Sequence, residues 1–206
     1  MNAFLNPLDR WNERFSNETY LFGEEPNLFL KSQAKFLNNG SALSIADGEG
    51  RNSIWLAEQG LSVDAFDFSP PAIKKAENLA IKRKVNVNYQ CSDWQSFDWK
   101  NDHYDNVVGI FFQFVEPDGR KKLFANMAKA LRPGGILIIL GYGLKQMEYK
   151  TGGPGIVNHL YDELILKESF SEFKILNSST YQEITNEGSG HSGMSALVGF
   201  VARKPS

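Results

Sequence analysis

In this 206-residue chain, carboxylates and glycines recur where short apolar runs end. The turn Ala46-Asp47-Gly48-Glu49-Gly50-Arg51-Asn52 follows the run Leu43-Ser44-Ile45-Ala46, and its glycines let a ligand approach the backbone. Asp67 ends the next run, where a carboxylate can accept both hydroxyls of a ribose. Asp93 and Trp94 end a third, where a carboxylate can accept the amino group of adenine. Ile110, Phe111 and Phe112 end a fourth and offer an apolar wall. Open α/β sheets bind ligands outside the carboxyl ends of their strands, at the switch point. Taken together these positions describe a nucleoside site.

A dinucleotide rests its pyrophosphate on the helix N-terminus beside such a turn. Here Asp47 and Glu49 would repel a diphosphate, with only Arg51 to offset them, and Ser53 stands where the dinucleotide fingerprint has its third glycine. S-adenosylmethionine has no phosphate and carries an ammonium and a sulfonium, so an acidic turn suits it. Methyl transfer from it is an in-line displacement that asks the protein for alignment and exclusion of water. A thiolate or chalcogen oxyanion needs no general base, whereas a hydroxyl or ammonium acceptor does. Candidate bases are His159, after the Gly152-Gly153-Pro154-Gly155 loop, and His191, in a glycine-rich turn. Tyr142 is expected at the pocket rim. His103 falls at the start of a strand, away from the site, and Lys145 and Lys150 read as surface charges or as attractors of an anionic substrate. Cys91 reads as small core packing, and no Ser-His-Asp relay or metal-ligand cluster is present in the sequence.

The elements that must position these residues alternate as βαβ units do. Strands are expected at 43–46, 63–67, 85–89, 104–112 and 136–140. Helices are expected at 51–59, at 70 onward behind a Ser69 cap, and at 117–131. Arg132-Pro133-Gly134-Gly135 turns the chain into the fifth strand. Residues 141–158 read as loop and 160–170 as helix. Strands at 173–184 and 194–202 should pair through the turn-rich segment 186–193. The expected fold is α/β: a Rossmann-like, seven-stranded, mostly parallel sheet with helices on both faces and an antiparallel C-terminal hairpin. One domain spans 1–206: an N-terminal helical cover (1–40), a cofactor-binding core (41–142) and a substrate-side loop, helix and hairpin (143–206). Trp11, Phe15, Tyr20 and Phe22 serve either as a lid or as closure of the hydrophobic end of the sheet.

Composition narrows the field further. A 42% apolar content is enough for one sizeable core, and a net charge of −2 argues against a dedicated polyanion binder. The run Lys82-Arg83-Lys84 reads as a solvated helix end. One cysteine excludes an internal disulfide and favours a reducing, cytoplasmic setting. The stretch Met1 to Pro7 does not read as a secretory signal, and no apolar run reaches membrane-spanning length. Expected partners are therefore a small-molecule methyl acceptor, with neither nucleic acid nor membrane, in a monomer or homodimer.

These residues resemble the class I S-adenosylmethionine-dependent methyltransferases, and more narrowly the tellurite-resistance and thiopurine methyltransferase-like group. The likeness rests on Trp11-Asn12-Glu13-Arg14-Phe15, Tyr20 to Asn27, Gly50-Arg51-Asn52-Ser53, Asp67, Asp93 with Trp94, and Leu131-Arg132-Pro133-Gly134-Gly135. The resemblance implies that Ala46 to Gly50, with Asn52 in the same motif, cradle the methionine portion and that Asp67 holds the ribose. It implies that Asp93 and the Trp94 backbone read adenine, with Phe68 along its face and Phe111 and Phe112 flanking the cofactor beside Ile110 of the apolar wall. Trp11, Arg14, Tyr20 and Gly23 become lid residues, and the His191 segment approaches the substrate. The family usually has an acid at Ser44 and a glycine at Ala46; Asp47 is the residue expected to replace the missing carboxylate. The implied activity is methylation of a small molecule such as a thiol, tellurite or selenite. The competing readings are a nicotinamide-dependent oxidoreductase and a non-catalytic S-adenosylmethionine-binding module.

Overall fold

The computed structural model describes residues 6–206; Met1 to Leu5, the first part of the stretch expected not to be a secretory signal, lie outside the described residues. In chain order come α1 (Pro7–Phe15), α2 (Leu28–Ser32), β1 (Ser41–Ile45), α3 (Arg51–Glu58), β2 (Ser62–Asp67), α4 (Pro70–Arg83) and β3 (Val87–Cys91). There follow β4 (Tyr104–Ile110), α5 (Pro117–Ala130), β5 (Leu131–Tyr142), α6 (Gln146–Tyr149), α7 (Glu163–Ser169), β6 (Lys174–Glu187) and β7 (His191–Arg203). The strand order is β3-β2-β1-β4-β5-β7-β6. The first five strands pair in parallel and β7 is antiparallel to both of its neighbours. The chain leaves β1 toward one sheet edge and returns at β4 toward the other. That reversal is the switch point, and it opens at the carboxyl ends of β1 and β4.

Both faces of the central strands are buried, which is why β4 and β5 read as nearly continuous apolar runs. Leu43, Ile45, Val107, Leu137 and Ile139 pack toward Leu123, Phe124 and Met127 of α5. Their sequence neighbours Ala42, Val108, Ile136 and Ile138 pack on the other face, with Leu30 of α2 and Trp55 and Leu56 of α3. Period-two alternation thus feeds two cores separated by the sheet.

Several elements differ from the sequence reading. β3 begins at Val87, because Val85 N donates to Ala80 O at 3.1 Å and belongs to the close of α4. β4 stops at Ile110, since Phe111 adopts a left-handed backbone (φ 56°) and turns the chain. β5 is longer at both ends: Leu131 pairs with Tyr104, a register shift carries the Pro-Gly-Gly segment, and pairing continues to Tyr142. The 141–158 stretch contains the last residues of β5, α6 and a 3-10 turn at Val157–His159. α7 starts only at Glu163, where the Asp162 carboxylate accepts from Ile165 N at 2.7 Å. Ser69 does not cap α4 through its side chain; its hydroxyl donates to Asn12 Oδ1 at 2.7 Å. Finally, the ladder of β6 and β7 runs out to Glu187 and His191, so most of the turn-rich octapeptide is strand.

Candidate functional site

A cleft of about 520 Å³ opens at the switch point. Its floor is the turn after β1. Ala46 (φ 47°) begins that turn in a left-handed conformation, where glycine would be unstrained. Asp47 then folds inward. Its carboxylate accepts from Ser44 Oγ at 2.6 Å, from Ser53 N at 3.3 Å and from the Ser53 hydroxyl. Asp47 is therefore a strut inside the turn that reaches back to Ser44, rather than an open carboxylate for an ammonium. Burial pushes its pKa up, against the hydrogen bonds from the two serines. Glu49 faces away from the cleft, accepts from Leu21 N at 2.8 Å and pairs with Lys75. The expected display of two acids is thereby reduced to Asp47, which contributes to the lining from within its hydrogen bonds.

Asp67 ends β2 beside this turn and is 5% exposed. One oxygen accepts from Gly48 N at 3.0 Å and the other from Ser69 N at 2.9 Å, so the carboxylate is rigidly aimed. Burial, with Asp47 adding repulsion, outweighs these bonds and raises its pKa to about 6. Asp93 is exposed after β3. Its Oδ1 accepts from Gln95 N and Ser96 N at 2.7 and 2.8 Å, and the Ser96 bonds lead in holding its pKa below the usual carboxylate value. The remaining oxygen Oδ2 is open to a donor such as an exocyclic amine. Trp94 lines the cleft, and its carbonyl is taken by Trp99 Nε1 at 2.7 Å. Phe68, Ile110, Phe111 and Phe112 complete the apolar wall.

The upper wall comes from opposite ends of the chain. Trp11 and Phe15 stack at 5.2 Å, and Phe22 packs 4.2 Å from the His191 ring. The Arg14 guanidinium lies 4.6 Å over Trp11 and 5.8 Å from Phe22. Burial and the nearby Arg10 lower its pKa. Arg51 ties the two walls together, donating to Phe22 O at 3.1 Å and to Glu187 Oε2 at 2.7 Å. Asn27 Nδ2 donates to the other Glu187 oxygen at 2.8 Å, and Gly190 N donates to Leu21 O at 2.8 Å. A Cβ at Gly190 would lie 2.3 Å from the Phe22 ring, so only glycine permits this contact.

Of the residues singled out from sequence, Trp11, Arg14, Ala46, Asp47, Gly48, Asn52, Asp67, Phe68, Asp93, Trp94, Ile110, Phe111, Phe112, Tyr142 and His191 all line the cleft. Asn52 does so while its Oδ1 accepts from Asn27 N at 3.0 Å, which makes it an anchor of the N-terminal segment. Others fall elsewhere. Gly50 lies against α4, where a Cβ would stand 2.8 Å from Ala76 Cβ, so its task is helix packing. Tyr20 donates to Lys75 O at 3.1 Å beneath the segment, and Gly23 sits against the hairpin tip. His159 is buried, with Nδ1 3.4 Å from Gln113 O, away from the lining. Lys145 and Lys150 are exposed outside it, His103 lies just before β4 at the opposite end, and Cys91 is exposed rather than packed in the core. Sequence reading missed Glu187, whose partners come from α3 and the α2 cap and carry no local signature. Among the described residues no cluster of three or more metal-ligating side chains occurs, and no helix is long and apolar enough to cross a membrane.

The chemistry of the lining fits S-adenosylmethionine: the Asp67 and Asp93 carboxylates, a glycine turn and the Arg14 guanidinium share one cleft. Known proteins agree. A family model described as a methyltransferase domain matches residues 42–135, which run from β1 into β5. The ubiquinone biosynthesis O-methyltransferase of Coxiella burnetii is 30% identical over 101 residues, covering 49% of this chain and 43% of that protein. The chain spans about half, or less, of the length of the curated relatives it matches. Among solved structures, TehB from Haemophilus influenzae superposes with a TM-score of 0.69 at 19% identity, covering 96% of this chain and 66% of TehB. The N-methyltransferase NodS from Bradyrhizobium japonicum, in complex with S-adenosylhomocysteine, gives 0.72 at 15% identity, covering 98% and 100%. The chain has the fold of the class I S-adenosylmethionine-dependent methyltransferases, and a methyltransferase-domain model matches its central segment.

Proposed function

We propose that the protein is a methyltransferase that uses S-adenosylmethionine to methylate a small molecule. The observation that carries this reading is the meeting of Asp67, Asp93 and the left-handed turn after β1 in one cleft at the switch point. Asp67 would hold the ribose hydroxyls, Asp93 the adenine amino group, and Gly48 and Arg14 the methionine end. Bound there, S-adenosylmethionine would supply a methyl group already activated by its sulfonium. The protein's own part is alignment, together with exclusion of water by the latched N-terminal segment and hairpin tip.

The acceptor enters from the side lined by Phe22, Phe111, Tyr142 and His191. The tellurite-resistance and thiopurine-like resemblance favours soft acceptors, a thiol or a chalcogen oxyanion such as tellurite or selenite. Calorimetry with S-adenosylmethionine, S-adenosylhomocysteine and NADH separates this reading from its rivals. Binding of both sulfur nucleosides but not NADH is expected, with the Asp67→Ala variant at least about tenfold weaker, the loss of a charge-assisted hydrogen bond. Methyl release onto acceptors then separates an enzyme from a binding module.

A further inference from the structure

The hairpin tip sets an imidazole beside a carboxylate at the acceptor end of the cleft. His191 Nδ1 lies 3.4 Å from Glu187 Oε2, across the last pair of the β6–β7 ladder, and both side chains are 10% exposed. Catalytic hydrogen bonds are often this long before a substrate binds. Arg51 and Asn27 hold the same carboxylate, so the group that orients the imidazole is itself fixed from two other elements. With Nδ1 directed at Glu187, Nε2 is the nitrogen left for a ligand. The charged and titratable groups around His191 are Glu187, Arg51, Arg14 and Tyr142. Burial outweighs the attraction of Glu187 and lowers the His191 pKa, which favours the neutral ring.

A second observation comes from β5. The Tyr142 hydroxyl is buried and has no hydrogen-bond partner, although the residue lines the cleft. Buried hydroxyls left unpaired are costly, and a polar atom of a ligand would relieve this one. Its ring lies 5.8 Å from His191 and 4.7 Å from Phe111. The acceptor space is thus walled by flat rings and carries one base and one waiting hydroxyl.

Resting on the methyltransferase reading, we propose a further activity: O-methylation of a phenol-type aromatic acceptor, with His191 as general base and Glu187 as its positioning residue. Oxyanions and thiolates need no base, whereas a phenol, ionising near pH ~10 like tyrosine, arrives protonated. Its hydroxyl proton passes to His191 Nε2 while an oxygen lone pair forms the O–CH3 bond. The C–S bond breaks with its electron pair retained by sulfur, and the imidazolium returns the proton to water after product leaves. Tyr142 hydrogen-bonds the acceptor oxygen from the other side.

Two measurements on the full chain test this. Histidine 15N NMR, with the His191 signals assigned by their loss in His191→Gln, is expected to show the Nδ1–H tautomer with Nε2 bare; an Nε2–H tautomer overturns the base. S-adenosylhomocysteine release is then followed with phenol, 4-chlorophenol and 4-nitrophenol. His191→Gln is expected to lose about 10²- to 10⁴-fold with phenol, and less than about tenfold with the largely ionised 4-nitrophenol. Equal losses along the series overturn the base, and a wild-type protein that methylates no phenol overturns the acceptor class. S-adenosylhomocysteine binding by the same preparation reports separately on the cofactor site, so the two failures are distinguishable.

Discussion

Asp67 and Asp47 are neighbouring carboxylates with different tasks. Asp67 has a pKa near 6 in the fold, against 3.8 ordinarily, because burial outweighs its two backbone bonds. A ribose needs it ionised, so affinity for S-adenosylhomocysteine should rise as pH increases through about 6, and Asp67→Asn should flatten that dependence in a calorimetric series. The stability effect has the opposite sense. The folded state binds this proton more readily than the unfolded chain, so Asp67 lowers stability as pH climbs from 3.8 to about 6. Asp67→Asn should then flatten the pH dependence of the melting temperature between about 4 and 6 while binding less well, although its NH2 gives up one of the two backbone bonds from Gly48 and Ser69. Asp47→Ala behaves differently: it strands the Ser44 hydroxyl and takes one partner from the Ser53 hydroxyl, which keeps Gly50 O and Tyr89, at a cost of about 1–3 kcal/mol. Both the melting temperature and nucleoside affinity should fall, and unchanged affinity would remove Asp47 from any part in shaping the turn. Ala46→Gly should gain up to about 1 kcal/mol in denaturant unfolding, because Ala46 sits at φ 47°; a loss would contradict the left-handed turn.

At the scale of elements, the latch between the N-terminal segment and the hairpin tip is the feature that sequence hid best. The strand ends were legible because each joins an apolar run to a carboxylate or glycine turn, a local pattern that Asp67 and Asp93 carry within a few residues. The 186–193 segment misled because glycine and asparagine signal turns locally, while pairs such as Asn186 with Ser192 come from the ladder itself. Glu187, Glu49 and Asn27 were illegible for the same reason, since their partners lie far along the chain. Gly190→Ala tests the latch, as its methyl would meet the Phe22 ring. Limited proteolysis between α1 and α2 should speed up in that variant. S-adenosylhomocysteine should protect this stretch in wild type, whereas equal cleavage with and without ligand would make the aromatic segment simple closure of the sheet.

For the whole molecule, the sheet order and the two-faced core follow from alternation that is plain in β1, β4 and β5. Both chain ends supply the upper wall of the cleft while the middle supplies its floor and the strand-end carboxylates. On the proposed reading, cofactor recognition comes from one contiguous stretch joined by Arg14, and acceptor recognition requires residues as distant as Phe22 and His191 to meet over it. The family model spans residues 42–135, the half that carries Asp67 and Asp93, and stops short of the hairpin. The central claim concerns that half, and calorimetric titration of the full chain tests it most directly. S-adenosylmethionine and S-adenosylhomocysteine should bind, Asp67→Ala should weaken both, and NADH should give no heat. A folded sample that binds neither sulfur nucleoside, or that prefers NADH, would contradict the assignment of the cleft.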